Sequence, residues 1–196
     1  MGGGRKRNVH SIAQLSDKEL VSQSLSAQSA EGASAAFGTL VLRYRKLVIS
    51  VAYRICGDAA LAEDVAQDAF VRVWSRLSEF RADGNFRAWL TRIAANMAID
   101  AVRRRRPQVD IEDVALEAPG QGPESAAMSR ERAGVVRAAL MRLPVQSRTI
   151  LVLREYQSFS YQEIADVLDV PLGTVKSRLS DARRRLKVEL TGYVSA

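Results

Sequence analysis

The chain has 196 residues, with 29 Lys and Arg against 22 Asp and Glu, one His, one Cys and a net charge of +7. The single cysteine, Cys56, excludes a disulfide scaffold and a thiolate metal cage, and the single histidine, His10, argues against His-based metal or acid–base chemistry. A hydrophobic fraction of 47% is enough for a core, no apolar run approaches the ~20 residues that span a bilayer, and the basic surplus suggests a polyanion partner.

Taken in order, the elements read as helices, because strand-type alternation is absent and Ala, Leu, Arg and Glu dominate. The opening Met1-Gly-Gly-Gly-Arg-Lys-Arg7 is basic with no apolar stretch after it, so residues 1–15 read as a disordered basic N-terminus and not as a secretory signal. Ser16-Asp-Lys-Glu19 is a capping-box pattern that opens a first helix. A second is expected over 35–55, stopping at Cys56-Gly57, and a third over 59–78, capped by Asp58. A loop over 79–84 precedes a fourth helix over 85–106, which Pro107 ends. Past a break, helices are expected from 125 to 141, from 144 to 156 with Pro144 in the first turn, from the capping box Ser160-Tyr-Gln-Glu163 to Leu168, and from 173 to 190.

Charge is unevenly placed along this series. Residues 1–80 carry 10 basic and 8 acidic side chains, residues 81–106 carry 7 and 2, residues 107–131 carry 1 and 6, and residues 132–196 carry 11 and 6. Two basic segments therefore flank an acidic one. The acidic segment also holds Pro107, Pro119, Pro123, Gly120 and Gly122 without useful periodicity, which reads as a flexible linker. The expected fold is all-α: two small helical domains joined by that linker, the second a helix-turn-helix.

The last helix pair is the strongest local signal. Val175, Leu179, Ala182 and Leu186 fall within a sector of about 60° and form a buried stripe, while Gly173, Ser177, Ser180, Asp181 and Arg184 face outward. Lys176, Arg178, Arg183 and Arg185 flank them. Short polar side chains with basic ones at the edges suit a helix in a major groove, with phosphates on both sides. In the third helix, Val65, Ala66, Ala69, Phe70, Val73 and Leu77 form the core side. Glu63, Asp64, Gln67 and Asp68 form an acidic patch with Arg72 one turn later, which taken alone reads as a solvated face. In the fourth helix, Phe86, Leu90, Ile93, Met97 and Ala101 are expected inside, and Arg92, Asn96 and Arg103 share another face ahead of the run Arg103–Arg106. The preceding loop has Phe80, Arg81, Asp83 and Asn85. Arginine with aromatics beside a loop suits unstacked bases and a single-stranded backbone, although Phe80, Phe86, Trp74 and Trp89 each read singly as ordinary core. Cys56 reads as a small core residue at a helix end, with a redox switch as the alternative.

Three passages in this order resemble a bacterial sigma factor of the extracytoplasmic-function (ECF) group of the sigma-70 family. Leu61-Ala-Glu-Asp-Val-Ala-Gln-Asp-Ala-Phe-Val-Arg-Val-Trp74 is similar to region 2.2. Phe80 to Asp100, with the arginine run, is similar to regions 2.3 and 2.4. Leu143-Pro144 through Leu186 is similar to region 4. The resemblance implies region 2 over 16–106, a linker over 107–127 and region 4 over 128–196. It implies that Glu63, Asp64, Gln67, Asp68 and Arg72 dock on the clamp helices of the largest subunit of core RNA polymerase, with a further polymerase contact at the flap region. Phe80, Arg81, Asp83, Asn85, Arg92, Asn96, Arg103 and Arg104 would contact the −10 element, duplex and single-stranded. Thr174, Lys176, Ser177, Arg178, Ser180, Asp181 and Arg184 would read the −35 element. The linker would replace region 3 and thread toward the RNA-exit path. An anti-sigma partner and a cytoplasmic location are also implied, with no cofactor, metal, membrane insertion or enzymatic activity. Where many relatives carry larger or basic residues this chain has Ser180-Asp181, and Asp181 suits a cytosine amino group. The alternative reading is a polymerase-independent helix-turn-helix regulator. An enzyme acting on nucleic acid lacks any carboxylate cluster, His/Cys set or phosphate-cradling glycine loop to support it.

Overall fold

Helix ends fall where the sequence supplies caps. The computed structural model describes residues 12–81, 83–105 and 123–194, of which 123–131 and 192–194 are described as backbone only. The arm over 1–11, most of the expected linker and Arg106 lie outside the described residues. Helix α1 (Asp17–Ser26) opens with the expected capping box: the Ser16 hydroxyl accepts from the Glu19 N–H, and the Glu19 carboxylate accepts from the Ser16 N–H. Helix α2 (Ala30–Cys56) starts five residues before the expected position because the Ser29 hydroxyl caps the Gly32 N–H at 3.1 Å. It ends at Gly57, whose φ of 79° is the left-handed C-cap that glycine adopts at little cost. Asp58 then caps α3 (Ala59–Ser75), and Asn85 caps α4 (Phe86–Arg104).

The second half holds α5 (Pro123–Arg142), α6 (Val145–Leu151), α7 (Tyr161–Leu168) and α8 (Leu172–Val194). Helix α5 begins with Pro123 in its first turn, where a missing N–H is harmless, so helix enters the expected linker. The helix expected over 144–156 changes winding at Val152. Residues Val152–Tyr156 form a π turn, closed by the Gln157 N–H on the Val152 carbonyl at 3.2 Å. Helix α8 runs past Leu190 to Val194, with Arg142 paired to Glu189 at 3.4 Å and an open apolar groove lined by Leu151, Leu186 and Leu190 along its side.

All regular structure among the described residues is helical. One core lies within α1–α4, around Leu20, Leu40, Val48, Phe70, Val73, Phe86 and Leu90. The other is shared between the halves. Val51 and Ile55 of α2 and Ala95 and Ala98 of α4 meet Leu140, Ile150, Leu153, Phe159, Ile164, Val175 and Leu179. Phe159, 1% exposed, is one of the larger contributors, at about 2–3 kcal/mol for such a side chain. The two helical units expected from the sequence are present, and they pack on one another.

Candidate nucleic-acid and partner interfaces

The Asp58 cap fixes the start of α3, and 3.6-residue periodicity then sorts its faces. Val65, Ala66, Ala69, Phe70 and Val73 are buried, and Glu63, Asp64, Gln67, Asp68 and Arg72 are all exposed. Among the described residues, no ion pair engages Glu63, Asp64 or Asp68. Beside this patch runs a groove between α2 and α3, lined by Phe37, Val41, Ile49, Phe70, Val71 and Trp74, with Glu63 and Gln67 on its rim. Trp74 is 44% exposed and tilts against Phe37 at 4.8 Å, so it is not the ordinary core residue it reads as singly. Sequence reasoning missed this groove. The available signal was Phe37 and Val41 one turn apart on α2, both half-buried at the edge of the core.

The loop before α4 is held by aromatics. Phe80 packs edge-on to Phe86 at 5.6 Å and against Trp89 at 5.2 Å; Phe86 is buried, while Phe80 and Trp89 are half-buried. Gly84 tucks under this ring, where an added Cβ would lie 3.1 Å from Phe80 and 3.0 Å from the Arg81 carbonyl. Arg81 and Asp83 are exposed and pair at 3.2 Å, which holds the Asp83 carboxyl below its usual range. Asn85 commits its side-chain oxygen to the Ala88 N–H at 3.1 Å, so its amide donors remain for a ligand. Arg92, Asn96, Arg103 and Arg104 are exposed along α4. Arg103 lies 4.0 Å from Asp100, and Arg104 donates to the Asp100 carbonyl at 3.3 Å. Arg105 turns back to pair with Asp58. The candidate −10 set is thus strung along about 27 Å of helix from Asn85 to Arg103.

The helix-turn-helix forms from α7 and α8. Its turn passes through Asp169, in the left-handed region at φ 53°, which Asp tolerates better than most residues. Val175, Leu179 and Ala182 are buried. Lys176, Ser177, Arg178, Ser180 and Arg184 are exposed, and Thr174 and Asp181 are half-exposed. The Ser177 hydroxyl donates to the Thr174 carbonyl at 3.1 Å. Asp181 is occupied within the helix: one oxygen takes Arg184, and the other takes Arg185 at 2.6 Å. These hydrogen bonds hold its carboxyl below the usual range. Arg183 leaves the reading face to pair with Glu155 at 2.7 Å.

One juxtaposition joins α4 and α8. Asn96, Ile99, Asp100 and Arg103 of α4 line the same cleft as Gln146, Leu168 and Arg178 of the second half. Burial pushes the Cys56 thiol up to about 12, which suits a packed side chain and not a reactive thiolate. No helix among the described residues is long and apolar enough to cross a membrane.

The family model for Sigma-70 region 2 matches residues 40–108, and that for Sigma-70, region 4 matches residues 133–186. The chain is 33% identical over 174 residues to the ECF RNA polymerase sigma factor SigW of Bacillus subtilis, covering 83% of this chain and 93% of that one. It is 37% identical over 187 residues to the RNA polymerase sigma-H factor of Pseudomonas aeruginosa, covering 89% and 94%. Among solved structures it is similar to CnrH in complex with the cytosolic domain of CnrY, with a TM-score of 0.66 and 30% identity over 90% of this chain and 97% of that one. It is also similar to the sigma factor RpoE in complex with the anti-sigma factor NepR from Bartonella quintana, with a TM-score of 0.63 and 27% identity over 79% and 96%. Matches to both halves of the same family, in the same order and over most of the chain, place this protein in the sigma-70 family, among the ECF RNA polymerase sigma factors.

Proposed function

We propose that the surfaces described above divide the work of this sigma factor, which confers promoter specificity on RNA polymerase. Residues 16–106 form the unit that binds core polymerase and the −10 element, 107–127 the linker and 128–196 the unit that reads the −35 element. Glu63, Asp64, Gln67, Asp68 and Arg72 dock on the clamp helices of the largest subunit, and the apolar groove at Phe37 and Trp74 extends that surface. Phe80, Arg81, Asp83 and Asn85 hold an unstacked base, and Arg92, Asn96, Arg103 and Arg104 contact the strand and its phosphates. Thr174, Lys176, Ser177, Arg178, Ser180 and Arg184 read the −35 duplex, with Asp181 positioning Arg184. The second unit also meets the flap region. Two tethered readers give avidity that neither needs alone.

The observation that carries this division is the unpaired acidic face of α3, on the same chain as two basic readers. A polymerase-independent regulator has no use for that face. The protein works in the cytoplasm beside the polymerase, and catalysis belongs to the core enzyme. CnrH and RpoE were each solved with a partner, CnrY and the anti-sigma factor NepR; by likeness, this chain too is held by an anti-sigma partner. The acidic linker mimics nucleic acid in the RNA-exit path, and neutralising its acidic residues should change initiation or promoter escape. The deciding experiment is reconstitution: the chain with core polymerase should direct run-off transcripts from a pool of genomic promoters. Output equal to core alone would defeat the proposal.

A further inference from the structure

The basic run Arg5-Lys6-Arg7 has no role in the surfaces assigned above, yet the point from which it leaves the fold is well defined. Ile12 and Leu15 pack against the same core as Phe80 and Trp89. The Arg43 guanidinium of α2 grips this stretch. It donates to the Ala13 carbonyl at 3.1 Å and to the Leu15 carbonyl at 2.7 Å, and it pairs with Asp17 at 2.5 Å. The Tyr44 hydroxyl donates to the other Asp17 oxygen. The Tyr44 ring lies 5.7 Å from Phe86, and Phe86 lies 5.6 Å from Phe80. Two rings thus link the first turn of α1 to the loop before α4.

The charges around this root favour an anion. Asp17 is held by Arg43, Glu79 by Arg76 at 3.1 Å and Asp83 by Arg81 at 3.2 Å, while Glu19 is turned into the Ser16 cap. Lys18 is exposed, and among the described residues no ion pair engages it. The Asp83 carboxyl, held low first by Arg81, is lowered further by Lys18, which puts that ammonium at the edge of the loop. Helix α4 leads through Arg103 and Arg104 toward the second unit, so its Phe86 end is the downstream end of the −10 face. A single strand that passes Arg103, Asn96 and Arg92 and leaves a base at Phe80 then continues past Lys18. Arg7 lies five residues before Ile12 and Arg5 seven, a reach of ~17 to ~24 Å at about 3.4 Å per residue.

We propose, resting on the base-holding loop assigned above, that Arg5, Lys6, Arg7 and Lys18 form a further single-strand contact, a basic arm that tracks the phosphates of the unpaired strand just downstream of the −10 element. Cations spaced along a chain neutralise phosphates without reading bases, so the arm adds affinity and salt dependence but no sequence preference. Arg43 and Tyr44, through Asp17, aim it at the strand as it leaves the base pocket.

The test uses the full chain bound to core polymerase and two forked DNA probes built on a promoter that the holoenzyme uses. In the short probe the non-template strand ends with the −10 element; in the long probe it continues for about ten unpaired nucleotides. Wild type should bind the long probe more tightly and with a steeper salt dependence. Arg5→Ala with Lys6→Ala and Arg7→Ala should remove about two ions from that slope, at ~0.7 per single-strand phosphate contact, and weaken the long probe about tenfold at low salt. The short probe should change less than about twofold. Lys18→Ala should lower the long-probe slope by less than about one ion. Arg5→Lys with Arg7→Lys keeps the charge and should keep the slope. Equal losses on both probes overturn the proposal, since the arm would then be a general duplex contact. So does an unchanged long-probe slope in the triple variant, or a slope lost in the lysine variant. Failure of the underlying loop assignment shows separately: Arg81→Ala with Arg92→Ala would then leave both probes bound as in wild type.

Discussion

The two charged helices, α3 and α8, treat their charges differently. On α3 the carboxylates of Glu63, Asp64 and Asp68 face solvent with no cation paired to them among the described residues. On α8 the guanidiniums of Arg184 and Arg185 share Asp181, and Arg183 is committed to Glu155. An unpaired face pays nothing internally when a partner arrives, so it suits a strong, constitutive docking surface. A pre-paired face must exchange an internal acceptor for a phosphate or base, which lowers affinity for any polyanion and keeps discrimination. The difference fits the proposed division, with anchoring in the first unit and selectivity in the second.

The largest effect should come from breaking the anchor. Asp64→Arg with Asp68→Arg should weaken core polymerase binding by 100-fold or more in a fluorescence titration, with the circular dichroism spectrum unchanged, because like charges then face the docking surface. Next is Arg184→Ala. Losing one base-reading arginine costs about 1–3 kcal/mol, so transcription from −35-dependent promoters should fall about tenfold, while promoters with a strong −10 element change less. A smaller effect is expected from Asp181→Ala, which frees two arginines. Affinity for random duplex should rise severalfold, and the salt dependence should steepen by about one ion. Since the Asp181 carboxyl is held below its usual range, it stays ionised as pH falls from 8 to 5, and the wild-type salt slope should be the same at both. An unchanged slope on substitution would erase the contrast between the two helices. The smallest effect is Ser160→Ala, which removes the cap of α7 and should cost about 1 kcal/mol, or a few degrees of melting temperature.

Much of this was legible in the chain itself. The capping boxes at Ser16 and Ser160, the caps at Asp58 and the stop at Gly57 are local hydrogen-bond chemistry, so sequence alone places them. The buried and exposed faces of α3 and α8 follow from periodicity, which depends on one helix at a time. Other features depend on what a second helix does. Trp74 lies half-exposed in an open groove, where its described ring partner is Phe37 of another helix. Asp181 reads in sequence as a free acceptor, yet its rotamer and those of Arg184 and Arg185 close an internal pair. The π turn at Val152 arises where Leu153 and Phe159 enter the shared core, a demand of tertiary packing that no local propensity states.

The all-α character of the chain, the order of its helices, their polar faces and the family are written in short-range patterns of residues. That the two helical units share a core, that Arg103 and Arg178 line one cleft and that Arg87 reaches Gln157 are products of long-range packing. Those contacts join residues about 70 positions apart, and their formation depends on apolar surface finding its complement across a linker whose composition carries no instruction about where its ends must meet.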